Sequence, residues 1–109
     1  MVIDHISFAV KDLEEGISYW NRVFGYSQLT GIVVNSRQLV RVVFLSKEGS
    51  ITIKLIEPTA GNLSLQNFVN RGGGFHHVCF RCKDITTTVA ELNSKGLLTL
   101  VSPQPGEAF

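Results

Sequence analysis

Two adjacent histidines, His76 and His77, follow three glycines in the stretch GGGFHHVCFRCKDI. The third histidine of the chain, His5, lies in a similar stretch near the start, IDHISFAVKDL. Imidazole binds transition metals and exchanges protons near neutral pH, so these residues are the first candidates for chemistry. A single histidine in a strand is more often structural than functional. The relative positions of the three histidines must therefore decide whether they form a functional site.

An internal repeat relates the two stretches. A shift of 72 positions places DHISFAVKDLEEGISYWN on HHVCFRCKDITTTVAELN, and His5 then falls on His77. If the two units pack about a pseudo-twofold axis, their first strands are neighbours and both imidazoles point into one concave cleft. Two imidazoles with added carboxylates suit Zn, Ni, Co, Fe or Mn. We therefore predict His5 and His77 as metal ligands, and His76, of opposite strand parity, as a structural or neighbouring group.

The elements that must position these side chains can be read from the apolar pattern. Residues 3–10 alternate as a half-buried strand, with His5 on its polar face. Asp12 can cap a helix with one apolar stripe, which Gly25 ends. Three further strands are predicted in an antiparallel meander, at 26–34 with a break at Gly31, at 39–46 and at 50–57.

The second half repeats this order but stops early. A short helix is predicted at 64–71, a strand at 76–82, a helix between Asp84 and Gly96, and a new strand beginning in LLTLVS. We expect an α+β fold of paired β-α-β-β-β units, forming a curved mixed or antiparallel sheet around a cleft. The predicted single domain comprises unit one (1–58), a linking helix (59–75) and an incomplete unit two (76–109). Either the natural chain continues, or a partner chain completes the sheet in a homodimer.

Composition narrows the class of protein. The 109 residues suit one domain, and 44% hydrophobic residues can form a core. A net charge of +1 gives no reason to expect nucleic acid or a membrane as partner. The start of the chain lacks the pattern of a secretory signal, and Cys79 and Cys82 are expected to be buried reduced thiols. These features predict a cytoplasmic protein.

Several of these stretches together resemble a known superfamily. The chain resembles the vicinal oxygen chelate superfamily. The resemblance lies in the paired strand starts DH-I and HH-V, the K-D-L/I helix starts, and the stretches VRVVFLSKEGSITIKLIEPT, SLQNFVNR and GGGFHHVCFRCKDI. This group includes glyoxalase I, extradiol dioxygenases, antibiotic-resistance proteins and methylmalonyl-CoA epimerases. The resemblance covers nearly the whole chain and is closest to the methylmalonyl-CoA epimerase branch.

The resemblance implies four metal ligands, a His on the first strand and a Glu or Gln on the last strand of each unit. His5 and His77 match the first pair. Lys54 stands in IKLIEP where the family pattern reads IELIEP, and the fourth position would lie on a strand beyond the chain. A lysine cation repels a metal, so Lys54 is predicted to bind substrate, as is Arg41, which we expect to face the cleft. Glu57 is a further candidate ligand if its strand bends.

Two main functions follow from the resemblance and the candidate site residues. The first is a metal-dependent isomerase or lyase, which would act on a small carbonyl compound or an acyl-CoA thioester. A divalent ion (Zn, Ni, Co or Mn) would stabilise an enolate in that enzyme. The second is a metal-free binding module that sequesters a small anionic ligand, or a decayed enzyme. A third reading is an assembly role, with a second subunit completing the sheet. None of these readings identifies a catalytic residue.

Overall fold

Six strands form one sheet, which carries three helices in the computed structural model. The structure describes residues 1–101. The elements in chain order are β1 (Val2–Ala9), α1 (Leu13–Phe24), β2 (Ser27–Gln28), β3 (Val33–Asn35), β4 (Val40–Ser46), β5 (Thr52–Pro58), α2 (Leu63–Asn70), β6 (Gly74–Arg81) and α3 (Ile85–Ser94). The strand order is β2-β4-β5-β1-β6, with β3 also paired to β4. This confirms the predicted α+β class and mixed sheet.

The first repeat unit folds as an antiparallel meander that returns to its own first strand. β2 and β3 pair in turn with β4, and β4 pairs with β5, all antiparallel. β5 then lies parallel to β1. The predicted break near Gly31 is observed between β2 and β3, where the hydroxyl of Thr30 accepts a hydrogen bond from the Phe44 N–H at 3.1 Å. This side-chain bond replaces a ladder bond at the break.

The two repeat units meet at β1 and β6, which pair antiparallel. Ile6 lies opposite Val78, its own counterpart in the repeat. A pseudo-twofold axis therefore passes through this pair, as the repeat predicts. His5 and His77, which are also counterparts, consequently lie on either side of the axis.

The helices begin and end where the sequence indicates. Asp12 caps α1 by accepting a hydrogen bond from the Glu15 N–H at 3.0 Å. Asp84 caps α3 by accepting one from the Thr86 N–H at 3.0 Å. The longest helix, α1, has 12 residues. Within residues 1–101, no helix is long and apolar enough to cross a membrane.

Both faces of the sheet are packed. Helix α1 covers one face, which we call the helix face, and α2 covers part of the other, which we call the cleft face. The core on the helix face is built from Leu13, Tyr26, Val43, Leu45, Ile53 and Leu55. The core on the cleft face is built from Ala9, Val40, Val42, Ile56, Leu65 and Val69.

The predicted polar face of β1 is the more buried one, which corrects the half-buried interpretation of this strand. His5 and Ser7 are 1% and 0% exposed, whereas Ile6 and Phe8 on the helix face keep partial exposure. The reason is that β1 lies inside the sheet, between β5 and β6. Side chains from three strands therefore crowd around His5 and exclude water from it.

The second unit packs much less closely than the first. None of the residues of α3 is buried. The predicted strand in LLTLVS is wrong for its described part, because residues 97–101 form no strand and remain exposed. An extended segment needs a neighbouring strand for its backbone hydrogen bonds, and this one pairs with no strand among residues 1–101. Residues 102–109, the end of predicted unit two, lie outside the described part.

Candidate functional site

A row of side chains crosses four strands on the cleft face. Lys54 lies opposite Phe44 on β4 and opposite Ser7 on β1, and Ser7 in turn lies opposite His77 on β6. Adjacent strands are about 4.8 Å apart, so the backbones of Lys54 and His77 are separated by roughly 10 Å. The small side chain of Ser7 lies between them. Lys54 and His77 can therefore lean over Ser7 toward a shared space.

Two irregularities in the β1–β6 pairing shape this space. Ser7 pairs with His77 but the next residue, Phe8, pairs with Phe75, so His76 is an extra residue on β6. A bulge of this kind redirects side chains. The His76 and His77 rings consequently meet, and a hydrogen bond joins their Nδ1 atoms at 2.7 Å. Strand parity predicted that these two rings would point apart, and the bulge is the reason that they do not.

The second irregularity orients His5. Ile3 pairs with Phe80 and His5 pairs with Cys79, so Asp4 is the extra residue on β1. The Asp4 carboxylate accepts a hydrogen bond from Nδ1 of His5 at 2.8 Å. On its other side the His5 ring meets the Phe44 ring edge-on, with 5.1 Å between centroids. These contacts fix the tautomer and the ring plane of a fully buried imidazole.

These side chains border a cavity of about 580 Å³ on the cleft face. Helix α2 forms one wall, and β1, β4, β5 and β6 form the floor. The lining residues are His5, Gln38, Val40, Lys54, Ile56, Asn62, Ser64, Leu65, Phe68, His76, His77 and Cys79. The structure thus brings together three of the predicted site residues, His5, His77 and Lys54. The volume is within the range of small-molecule sites.

Burial and mutual repulsion weaken the bases in this cavity. Burial lowers the pKa of His77 to about 4, and electrostatic repulsion from His76, Lys54 and His5 contributes to the lowering. Burial also lowers the pKa of Lys54 below its ordinary value. The pKa of the Cys79 thiol is raised, first by burial and then by the charge of Asp4, so the thiol stays protonated at neutral pH. His77 is therefore a neutral imidazole at pH 7.

Arg41 and Glu57 lie on the helix face, away from the cavity. Arg41 donates to Glu57 at 2.7 Å and to Glu14 at 2.6 Å. The other carboxylate oxygen of Glu57 accepts the N–H of Leu13 at 3.0 Å. The prediction that Arg41 faces the cleft is wrong, because Arg41 shares the parity of Val43 and packs with α1. These ion pairs fasten the start of α1 to β4 and β5.

The residues present do not fit the four-ligand metal site that the resemblance implies. Lys54 occupies the third position with a cationic group, and burial of a second cation beside it is unfavourable. Within residues 1–101, the cavity contains no three His, Cys, Asp or Glu donors that converge within 4.8 Å. Such a group exists on the helix face, formed by Asp12, Glu14 and Glu57. Arg41 is already ion-paired with two of these carboxylates, Glu14 and Glu57.

Sequence reasoning missed several lining residues. His76, predicted as a structural or neighbouring group, lines the cavity itself, because nothing in the sequence marks the bulge that redirects it. Gln38, Asn62 and Ser64 come from a turn and from the start of α2, and Asn62 also caps that helix through the Leu65 N–H. Loops that flank a predicted cleft are the signal that could have found them. Cys79 lies opposite His5, so the antiparallel register identifies it.

Known proteins similar in sequence support the fold and the family. Mitochondrial methylmalonyl-CoA epimerase from Mus musculus is 31% identical over 100 residues. That alignment covers 90% of this chain but 55% of the mouse protein. The human epimerase is 28% identical over 100 residues, which is 90% of this chain and 56% of that protein. The chain therefore spans just over half the length of these relatives.

Solved structures also support the fold and the family. A variant of Streptomyces coelicolor methylmalonyl-CoA epimerase in complex with 2-nitronate-propionyl-CoA superimposes with a TM-score of 0.81 and 27% identity, covering 98% of this chain and 78% of that one. The model of the Glyoxalase/Bleomycin resistance protein/Dioxygenase superfamily matches residues 4–108. This match covers almost the whole sequence. The chain therefore belongs to the Glyoxalase/Bleomycin resistance protein/Dioxygenase superfamily.

Proposed function

We propose that this chain is an isomerase-type protein that moves the proton on the carbon next to a CoA thioester carbonyl. Its relatives named above are methylmalonyl-CoA epimerases, and one of them holds a propionyl-CoA nitronate. The observation that carries the proposal is the cavity where His5, His77 and Lys54 meet. It lies where the two repeat units join, on the face that the pseudo-twofold axis crosses.

The chemistry of the cavity suits a carbon acid. Removal of a proton next to a thioester leaves an enolate, whose negative charge must be stabilised. Lys54 and the histidines supply positive or hydrogen-bonding groups for that charge. His77 is neutral at pH 7 and can accept a proton. Enzymes of this superfamily typically use a divalent metal for the stabilising role, and the lysine at position 54 makes this chain different.

The test is exchange of the substrate's α-proton with solvent. Methylmalonyl-CoA is incubated with the protein in D2O, and deuterium incorporation is followed by mass spectrometry. We expect exchange in the wild type and a loss on the order of 10²-fold in His77→Gln, because a proton-transfer group is removed. Lys83→Met, at an exposed position past β6, is the control and should retain the wild-type rate. No exchange by a folded wild-type protein would reject the proposal.

A binding module of the same fold is the second candidate. It is favoured by the lining of the cavity, where the charged and polar side chains are Lys54, three imidazoles, amides, a hydroxyl and a thiol rather than carboxylates. Such a lining favours an anionic ligand. Tight binding of methylmalonyl-CoA without any deuterium incorporation would select this candidate over the isomerase.

The homodimer and the cytoplasmic location stay predictions. The surface of the second unit favours the homodimer, because Leu97, Leu98 and Leu100 are exposed and follow α3, which has no buried residue. A second copy of the chain would remove some of this apolar area from water.

A further inference from the structure

The charge balance of the cavity is unusual for a site that would hold a divalent cation. Of its described lining residues, Lys54 carries a formal charge and His5, His76 and His77 are basic, while none is Asp or Glu. The nearest carboxylate to the imidazoles, Asp4, is engaged with His5 and with Arg81. The site as built therefore attracts anions and repels cations.

Lys54 is placed to act as the cation of this site. Its side chain is only 8% exposed, and Nζ lies 5.5 Å from the centre of the Phe44 ring. That ring supports an ammonium group through a cation–π contact. An ammonium group held in a mostly apolar wall interacts strongly with an anion that enters the cavity, because little water remains to screen the charge.

We propose that Lys54 binds the ligand's carboxylate directly and that this chain recognises its ligand without a divalent metal. The inference rests on the proposed function, since it assumes a short acyl-CoA thioester in the same cavity. The ligand class is then a dicarboxylic acyl-CoA, with the free carboxylate near Lys54 and His77 and the CoA moiety directed toward the open side. His5 and His76 also line this cavity.

Binding experiments in EDTA test this inference. Malonyl-CoA and propionyl-CoA differ by one carboxylate, and their affinities are measured by calorimetry. For the wild type we expect malonyl-CoA to bind at least 10-fold more tightly than propionyl-CoA. Lys54→Met should remove this preference, Lys54→Arg should retain part of it, and the control Lys83→Met should leave it unchanged. Equal affinities in the wild type, no malonyl-CoA binding in EDTA, or an unchanged preference in folded Lys54→Met would each overturn the inference.

A metal titration provides a readout that does not depend on activity or on CoA binding. Mn²⁺ is titrated and the free ion is measured by electron paramagnetic resonance. The wild type should bind Mn²⁺ at least 10-fold more weakly than Lys54→Gln, which replaces the cation by a neutral oxygen donor. One tightly bound Mn²⁺ per wild-type chain would overturn the inference but leave the proposed isomerase standing. Absence of deuterium exchange, in contrast, would reject the isomerase and leave metal-free anion binding intact.

Discussion

At the scale of single residues, the site depends on a change of charge at one position. The superfamily resemblance implies a Glu or Gln at position 54, where this chain has a lysine, and the structure puts Lys54 in one cavity with His5 and His77. The first point is implied by the resemblance alone, whereas alternation along β5 and the repeat predict that Lys54, His5 and His77 share one face. The orientation of Arg41 could not be predicted, because β4 is apolar on both faces and its alternation identifies neither. The Arg41–Glu57 register decides this orientation.

The lowered pKa of His77 makes stability depend on pH. The folded pKa is about 4 and the unfolded value is near 6.5, so the unfolded chain binds more protons between these values. The free energy of unfolding should therefore rise from pH 4 to pH 6.5 and lose this contribution as the pH falls. Urea unfolding of the wild type and His77→Gln at pH 4.5, 5.5, 6.5 and 7.5 measures the effect.

The difference in unfolding free energy between the two proteins is the informative quantity, because other groups titrate in the same range. We expect the wild type to gain stability relative to His77→Gln as the pH rises. A difference that is the same at all four pH values would show that the pKa of the half-buried His77 is not lowered in the folded protein.

At the scale of elements, the turn from α2 into β6 brings two backbones close together. Gly73 has φ +64°, and a Cβ there would lie 2.6 Å from the carbonyl oxygen of Ala9. This close approach fixes where β6 begins, and hence where His77 lies along β1. The sequence indicates a glycine turn at this point but not which glycine is essential.

Gly73→Ala should therefore be destabilising, by about 1–3 kcal/mol or more, because it combines strain at positive φ with a backbone clash. Gly31→Ala is the matched control, since its φ is ordinary and nothing lies within 4 Å of the added Cβ. Thermal and urea unfolding of both variants provide the comparison. A Gly73→Ala variant as stable as Gly31→Ala would contradict the close approach.

The bulges in the β1–β6 pairing could not be predicted from the sequence. Alternation assigned His76 and His77 to opposite faces, and the extra residue in β6 brings them together. The amino-acid types around His76 do not mark this one-residue irregularity. Helix caps are easier to predict, as Asp12 and Asp84 show, because their side chains interact with backbone only two or three residues away.

At the scale of the whole molecule, the repeat predicts the architecture. Matching units that meet at their first strands place counterpart histidines near one axis, and the structure confirms this through the Ile6–Val78 pair. The second unit differs from the first, since α3 has no buried residue and residues 97–101 pair with no strand among the described ones. Apolar composition predicted a strand there, but a strand forms only where a neighbouring backbone can accept it.

The proposed function requires that ligand binds on the cleft face, at the cavity that joins the two units. Nuclear magnetic resonance tests it directly, because the chain has three histidines, all lining that cavity, and one tryptophan, Trp20, packed on the helix face. On addition of malonyl-CoA, we expect large shifts of the imidazole signals and little change at the Trp20 indole. Shifts at Trp20 with unchanged imidazole signals would contradict it.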